Sequence, residues 1–451
     1  MSHSRTATFT DVQQDMYFGT EVVNRVSFLR EDSEFITQSL FHPSTRFIFY
    51  QDQKPLIHKN FSNKLTILTN GSKQLSIDTI SNGKIGFTGE PAIIETGLMD
   101  SVDIWKSVLT TWNSDNKTQA SDLRQDTKPI FLFLGLLDES VGLDLHTLKF
   151  DDSDQEKFLD HQGRYQGIAY YAVDLTNSPE LTDSIINFVN DYINRNYTKG
   201  IVQTPEENGL FFTHSRKHYL GFENKEASLF SQGAMFFSWL EKNKFCPGCG
   251  HPVIPIHAGG KLYCTNTTMD QHDPEKFACP VKSAPVANVS FPRTDMAIIT
   301  TIANRDRSKI LLSLSKRYAI TKMYSCTAGF MEPSETVEVA TKREIWEETG
   351  VTCSEIDIMM TQPWPFPSNL MIGCMGIVDF NGTNEQIHLG HDNELSDARW
   401  FDIEFVKKLV YPKEQEDEDF NPEGIVLPMP ESIAFQLIKL VVDEATNKHK
   451  L

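Results

Sequence analysis

The chain has 451 residues, and 61 acidic side chains outnumber 42 basic ones, for a formal net charge of −19. That balance excludes broad electrostatic capture of nucleic acid or an anionic membrane. No apolar run nears the ~18 residues of a membrane helix, and the first residues lack a secretion-signal pattern. A small anionic substrate would need local positive charge, and a metal ion is the natural source.

At roughly 100–200 residues per domain, the length suggests two to four domains. Residues 1–20 are polar and are expected to be loosely ordered. The stretch 21–242 reads as a mixed α/β domain. Aromatic and β-branched runs at 46–50, 65–68, 130–134 and 168–173 predict strands. Ser178-Pro179 starts a predicted helix that carries Ile185, Val189, Tyr192 and Ile193 on one face. The polar residues between Trp112 and Pro129 predict a surface loop. A helix near 225–242 leads into the cysteines, with Leu229, Ala234, Phe236, Phe237 and Leu240 as candidate core.

Four of the seven cysteines, Cys246, Cys249, Cys264 and Cys279, fall within 243–290. Cys246-Pro-Gly-Cys249 is a knuckle whose glycine lets the backbone turn two thiolates toward one ion. Four thiolates suit tetrahedral Zn²⁺, and a closed set of this kind is structural. Residues 265–278 read as a loop inserted between the third and fourth ligands. His272 in that loop is an alternative to Cys279. Cys326, Cys353 and Cys374 lie among apolar residues and are expected in the core.

A third module spans 291–445, with strands expected at 297–302 and 310–314 and a last helix at 431–443. The acidic run 414–419 reads as a solvated loop. Between them lies a helix expected from about 335 to 349, stopped by Gly350. Glu344, Glu347 and Glu348 fall within an arc of about 100° on that helix. Three carboxylates so close repel one another unless a cation sits among them. Mg²⁺ and Mn²⁺ take oxygen ligands and share them with substrate phosphates.

The full pattern runs Gly329, five residues, Glu335, seven residues, Arg343-Glu344-Ile-Trp-Glu347-Glu348-Thr-Gly350-Val351. It resembles the signature of the Nudix superfamily at every specified position. The resemblance implies an α+β chain whose third module is a Nudix α/β/α sandwich. It implies metal ligation by Glu344, Glu347 and Glu348, and bracing of the loop on the helix by Glu335 and Arg343. Thr361-Gln-Pro-Trp-Pro-Phe-Pro-Ser-Asn369 resembles the S-Q-P-W-P-F-P-x-S element of the NADH pyrophosphatase subgroup, with Thr361 for Ser and Ser368-Asn369 for x-Ser.

The subgroup resemblance adds further expectations. A zinc ribbon precedes the Nudix domain, and an N-terminal mixed α/β, Nudix-like domain precedes both. Glu394 matches a fourth metal-site carboxylate. Ala328, Phe330, Gln362, Trp364, Phe366, Ser368 and Ala434 match substrate-binding positions, as does Phe291 from a second subunit of a homodimer. The implied reaction is cleavage of NADH or NAD⁺ to a nicotinamide mononucleotide and AMP, with NAD-capped RNA and ADP-ribose as alternative substrates. A zinc-ribbon binding module with an inactive Nudix domain is the non-enzyme alternative. The tail 446–451 ends in His449-Lys450-Leu451, which resembles a peroxisomal import address; an import receptor would be its partner, and cytoplasm is the default.

Overall fold

The computed structural model describes residues 16–58, 64–71, 93–118, 128–142, 158–196, 210–266, 279–283, 292–331, 336–391, 394–412 and 420–448. It forms two compact units, Thr20–Arg293, and Thr294–Leu451 joined by Met1–Gly19. No described helix is long and apolar enough to cross a membrane.

In the unit Thr20–Arg293, nine strands form one sheet among the described residues. They are β1 (Arg46–Gln51), β2 (Lys54–His58), β3 (Lys64–Leu65), β4 (Ile67–Thr69), β5 (Ile93–Gly97), β6 (Ile130–Leu137), β7 (Leu159–His161), β8 (Tyr165–Asp174) and β9 (Leu210–Phe212). Its longer helices among the described residues are α1 (Ser33–Phe41), α2 (Trp105–Thr118), α3 (Pro179–Asn196) and α4 (Asn224–Lys242). β1 lies parallel to β8, and β8 is antiparallel to β6. Alternation sends successive side chains of β1 to opposite faces. Phe47 and Phe49 join Trp105, Leu109, Ile185 and Val189 in one core, and Tyr50 packs on Phe230 and Phe237 of α4. Burial on both faces explains the unbroken apolar runs in the sequence.

Two expectations need correction in this unit. The loop expected from Trp112 to Pro129 is helical as far as Thr118, and 119–127 lie outside the described residues. Polar composition marks contact with water, which the outer side of a helix shares with a loop. The single strand expected at 65–68 is split into β3 and β4, and Thr66 between them donates its N–H to Leu56 O. The cysteine ribbon, with β10 (Val253–Ile256) and β11 (Lys261–Cys264) antiparallel, belongs to the same unit.

The unit Thr294–Leu451 holds β12 (Asp295–Asn304), β13 (Lys309–Ser315), β14 (Thr327–Phe330), β15 (Glu355–Trp364), β16 (Asn369–Val378) and β17 (Leu395–Asp402). Its helices are α5 (Val337–Thr349), α6 (Ile403–Val410) and α7 (Ile433–Lys448). The strand order is β15-β16-β12-β13-β17, with β14 also on β12. Among these described strands, β12 and β16 pair in parallel and the other pairs are antiparallel. Period-two patterning builds a core on each face. Ile299, Ala303, Ile310 and Leu312 pack with Leu437, Ile438 and Val441 of α7. Ile302 and Leu311 pack with Ile345 of α5. This is the expected α/β/α sandwich. The order β6-β8-β1 in the other unit repeats β15-β16-β12 in pairing sense, which fits a Nudix-like N-terminal fold. Cys326, Cys353 and Cys374 are buried, and burial pushes the thiols of Cys326 and Cys353 up to about 12.

The loosely ordered N-terminus is also corrected, for residues 16–19. Met16, Tyr17 and Phe18 are buried, and Met16 joins the core on the α7 side. Three consecutive large apolar side chains supply enough buried area to hold a short segment against the sheet.

Candidate active site and cysteine centre

α5 begins with the Thr336 hydroxyl accepting from Val339 N–H and ends at Gly350, whose φ of +74° is left-handed. Such a stop needs glycine because a Cβ is strained there. The buried face of α5 is Ala340, Thr341, Ile345, Glu348 and Thr349. The three glutamates therefore differ in depth. Glu348 is 5% exposed, whereas the side chains of Glu344 and Glu347 are 13% and 39% exposed. Arg343 Nη1 donates to Glu344 Oε1 at 2.7 Å and to Glu347 Oε2 at 2.9 Å. Its Nη2 donates to Phe330 O at 3.0 Å, which ties the end of β14 to the helix. The simultaneous hold of Arg343 on two of the glutamates is an addition that spacing alone did not reveal.

A Cβ at Gly329 would lie 2.1 Å from the Glu344 carboxyl carbon. The glycine is thus the cradle into which that carboxylate fits. Replacing Gly329 by alanine is expected to displace the carboxylate and lower kcat about 10²-fold, because misplacement near 1 Å costs that much. Steady-state kinetics beside a thermal melt checks this: a small melting shift with the large kcat loss is the expected pair.

Strand directions assemble the rest at one end of the sheet. Asp295 opens β12 opposite Asn369, which opens β16 and faces Trp364 at the end of β15. Phe330 ends β14 opposite Ala297. β17 opens with Leu395 opposite Ser315 at the end of β13, and Glu394 O accepts from Lys316 N–H. Phe330, Ala328, Trp364, Phe366, Ser368 and Glu394 therefore border the same sheet end as Gly329 and Glu344. Phe330 and Glu394 are exposed. Trp364 and Phe366 meet edge-on with centroids 5.3 Å apart, and Phe18 packs against both at 5.9 Å. The contribution of Tyr17 and Phe18 was not legible beforehand; an apolar trio in a polar N-terminus was its only signal.

Three of the residues matched to substrate-binding positions are buried. Gln362 is fully buried. Its Nε2 donates to Tyr17 O and Glu431 O, and its Oε1 accepts from Ile433 N–H. The amide is spent on joining three distant segments, so it braces the site from behind. Ser368 and Ala434 are buried; Ser368 O accepts from Asp295 N–H, and Ala434 O accepts from Cys326 Sγ. Phe291, Glu335, His272, the acidic run 414–419 and the tail from 449 onward lie outside the described residues.

The donors at the sheet end are carboxylate oxygens, which suit a hard divalent cation. Among the described residues, their ligand atoms do not all come within 4.8 Å of one another, whereas those of one cysteine group do. Arg343 supplies the cationic partner that holds Glu344 and Glu347 in this arrangement.

That cysteine group is Cys246, Cys249, Cys264 and Cys279. Cys246 and Cys279 sulfurs lie 3.5 Å apart, and those of Cys249 and Cys264 lie 3.4 Å apart. Four ligands at a Zn–S distance of ~2.3 Å have edges of about 3.8 Å, so the set fits tetrahedral zinc. Gly250, at φ +72°, completes the knuckle and donates its N–H to Cys246 O. Burial raises the Cys246 and Cys264 thiols. Burial also opposes the Cys249 thiolate, yet N–H donation from His251 and the neighbouring thiols hold that group down to about 6. Without a cation, the four cannot share the charge equally.

The sandwich and its carboxylate helix define a Nudix hydrolase, and the NUDIX domain model matches residues 293–423. The chain is 38% identical over 437 residues to a NAD-capped RNA hydrolase of Saccharomyces cerevisiae, covering 96% of this chain and 97% of that one. It is 27% identical to a NAD-capped RNA hydrolase of Schizosaccharomyces pombe over 96% of this chain and 94% of that one. A human NAD-capped RNA hydrolase is 34% identical over 233 residues, 52% of this chain and 45% of that one. The chain belongs to the NADH pyrophosphatase subgroup of the Nudix hydrolases.

Proposed function

We propose that the chain cleaves the pyrophosphate of NADH and NAD⁺. Water adds at one phosphorus, the bridging P–O bond breaks, and the products are AMP and the reduced or oxidised nicotinamide mononucleotide. The observation that carries this reading is that Gly329, which lies against the Glu344 carboxylate of α5, borders the same sheet end as the aromatic, proline-stiffened segment 361–368. The names of the relatives support it, since a NAD cap carries the same pyrophosphate.

Glu344, Glu347, Glu348 and Glu394 would hold Mg²⁺ or Mn²⁺. Such ions neutralise phosphate oxygens and lower the pKa of a bound water. Arg343 orients Glu344 and Glu347 for this role. A carboxylate of the group takes the proton that water gives up. Phe330, Trp364 and Phe366 offer ring faces to the nicotinamide or adenine. Zn²⁺ on the four cysteines is structural.

NAD-capped RNA is the second reading, favoured by the names of the relatives. Chromatography of an NADH reaction with Mg²⁺ tests the first: AMP and reduced mononucleotide in equal amounts are expected. Faster turnover of ADP-ribose than of NADH would contradict the substrate assignment. We also place the protein as a homodimer, which sedimentation as a monomer would refute. Peroxisomal import through 449–451 is refuted if an N-terminally tagged chain keeps its location after their deletion.

A further inference from the structure

We propose that Phe18 is a positioning residue for substrate: it fixes the rings of Trp364 and Phe366 in the orientation that faces one ring of the dinucleotide. This rests on the reading that NADH is bound by those two side chains. Phe18 is 3% exposed, too deep to meet a ligand itself, whereas Trp364 and Phe366 are half-buried. Any effect of Phe18 on substrate therefore passes through the other two rings.

The three rings close a triangle. Centroids lie 5.3 Å apart for Trp364 and Phe366 and 5.9 Å from Phe18 to each, and the three pairs meet edge-on at 78°, 83° and 78°. Edge-to-face contact sets the positive rim of one ring against the negative face of another, so each pair has a preferred orientation. Neither Trp364 nor Phe366 can swing without losing two such contacts. Removing the Phe18 ring leaves each with one of the two, and with a void to turn into.

The backbone at Phe18 is strained. Residues 16–19 form a turn in which Gly19 N–H donates to Met16 O. Phe18 is at the third position with a φ of +70°, where glycine or asparagine is usual and a bulky side chain is an outlier. Such strain persists only where the surroundings over-determine it, and it gathers at functional sites. Here the surroundings are the aromatic segment itself. Gln362 Nε2 donates to Tyr17 O, and a Cβ at Gly19 would lie 3.0 Å from Pro363 Cδ. Met16, in the same turn, packs instead in the core on the α7 side, a cluster that includes neither Trp364 nor Phe366.

The test is steady-state kinetics on NADH for wild type, Phe18→Ala and Met16→Ala, each well below its melting temperature. Phe18→Ala should raise KM about tenfold and keep kcat within about twofold, as expected when an aromatic contact is lost from binding rather than from the chemical step. Met16→Ala is the control: it should melt lower as well, yet keep the wild-type KM. Phe18→Leu keeps apolar bulk and hence the fold; it should raise KM about threefold, at the lower end of an aromatic contact, and it carries the test if the alanine variant does not fold. An unchanged KM in the folded Phe18 variants, or an equal rise in Met16→Ala, overturns the positioning role and leaves the NADH reading standing. Wild-type protein that does not cleave NADH overturns that reading, and the positioning role with it.

Discussion

Replacing Glu347 by glutamine is expected to lower kcat for NADH by about a hundredfold or more while the protein still folds. Gln keeps the shape and an oxygen that Arg343 can bind, but it removes one negative charge from the group proposed to hold the divalent ions. Loss of an outer partner of a metal site already costs about 10–100-fold, so loss of a direct ligand should cost at least the upper end. The folding cost is small because the Glu347 side chain is 39% exposed, and exposed ion pairs contribute about 0–1 kcal/mol. Glu348 would be a poorer probe, since its burial mixes stability with chemistry. Kinetics with Mg²⁺ in excess, beside a denaturant titration, separates the two effects. Full activity in the glutamine variant would remove Glu347 from the reaction.

The second large effect is expected at the cysteines. Cys246→Ser should reduce bound zinc from one equivalent toward none and lower the melting temperature of the unit that contains the ribbon. Structural zinc contributes apparent binding free energies of about 10–16 kcal/mol in small isolated domains; here the packed sheet supports the fold as well, so the loss should be smaller than that. Zinc retention should also weaken as pH falls, because bound thiolates must stay deprotonated. Metal analysis with a thermal melt, with and without chelator, reads both. Unchanged zinc content in Cys246→Ser would break the four-thiolate assignment.

The sequence made legible those features whose physics is local. The spacing of Glu344, Glu347 and Glu348 fixes their shared helix face, and Gly350 ends that helix because of its own backbone freedom. The cysteine knuckle needs only four residues to bend. Legibility failed where a role depends on a distant partner. Gln362 reads as a polar residue free to meet substrate, but Tyr17 and Ile433, 345 and 71 residues away, consume its amide. The polar end of α2 looks like a loop because composition records water contact, not backbone geometry.

The central claim is that the carboxylate face of α5 cleaves a dinucleotide pyrophosphate with the help of divalent cations. Its most direct test is AMP release from NADH by protein freed of divalent ions with a chelator and then titrated with Mg²⁺ or Mn²⁺. The expected result is no AMP before the titration and full release after it, with the four-cysteine zinc retained throughout. AMP release that is equally fast in the chelated protein, or no release at any Mg²⁺ or Mn²⁺ concentration, would contradict the account.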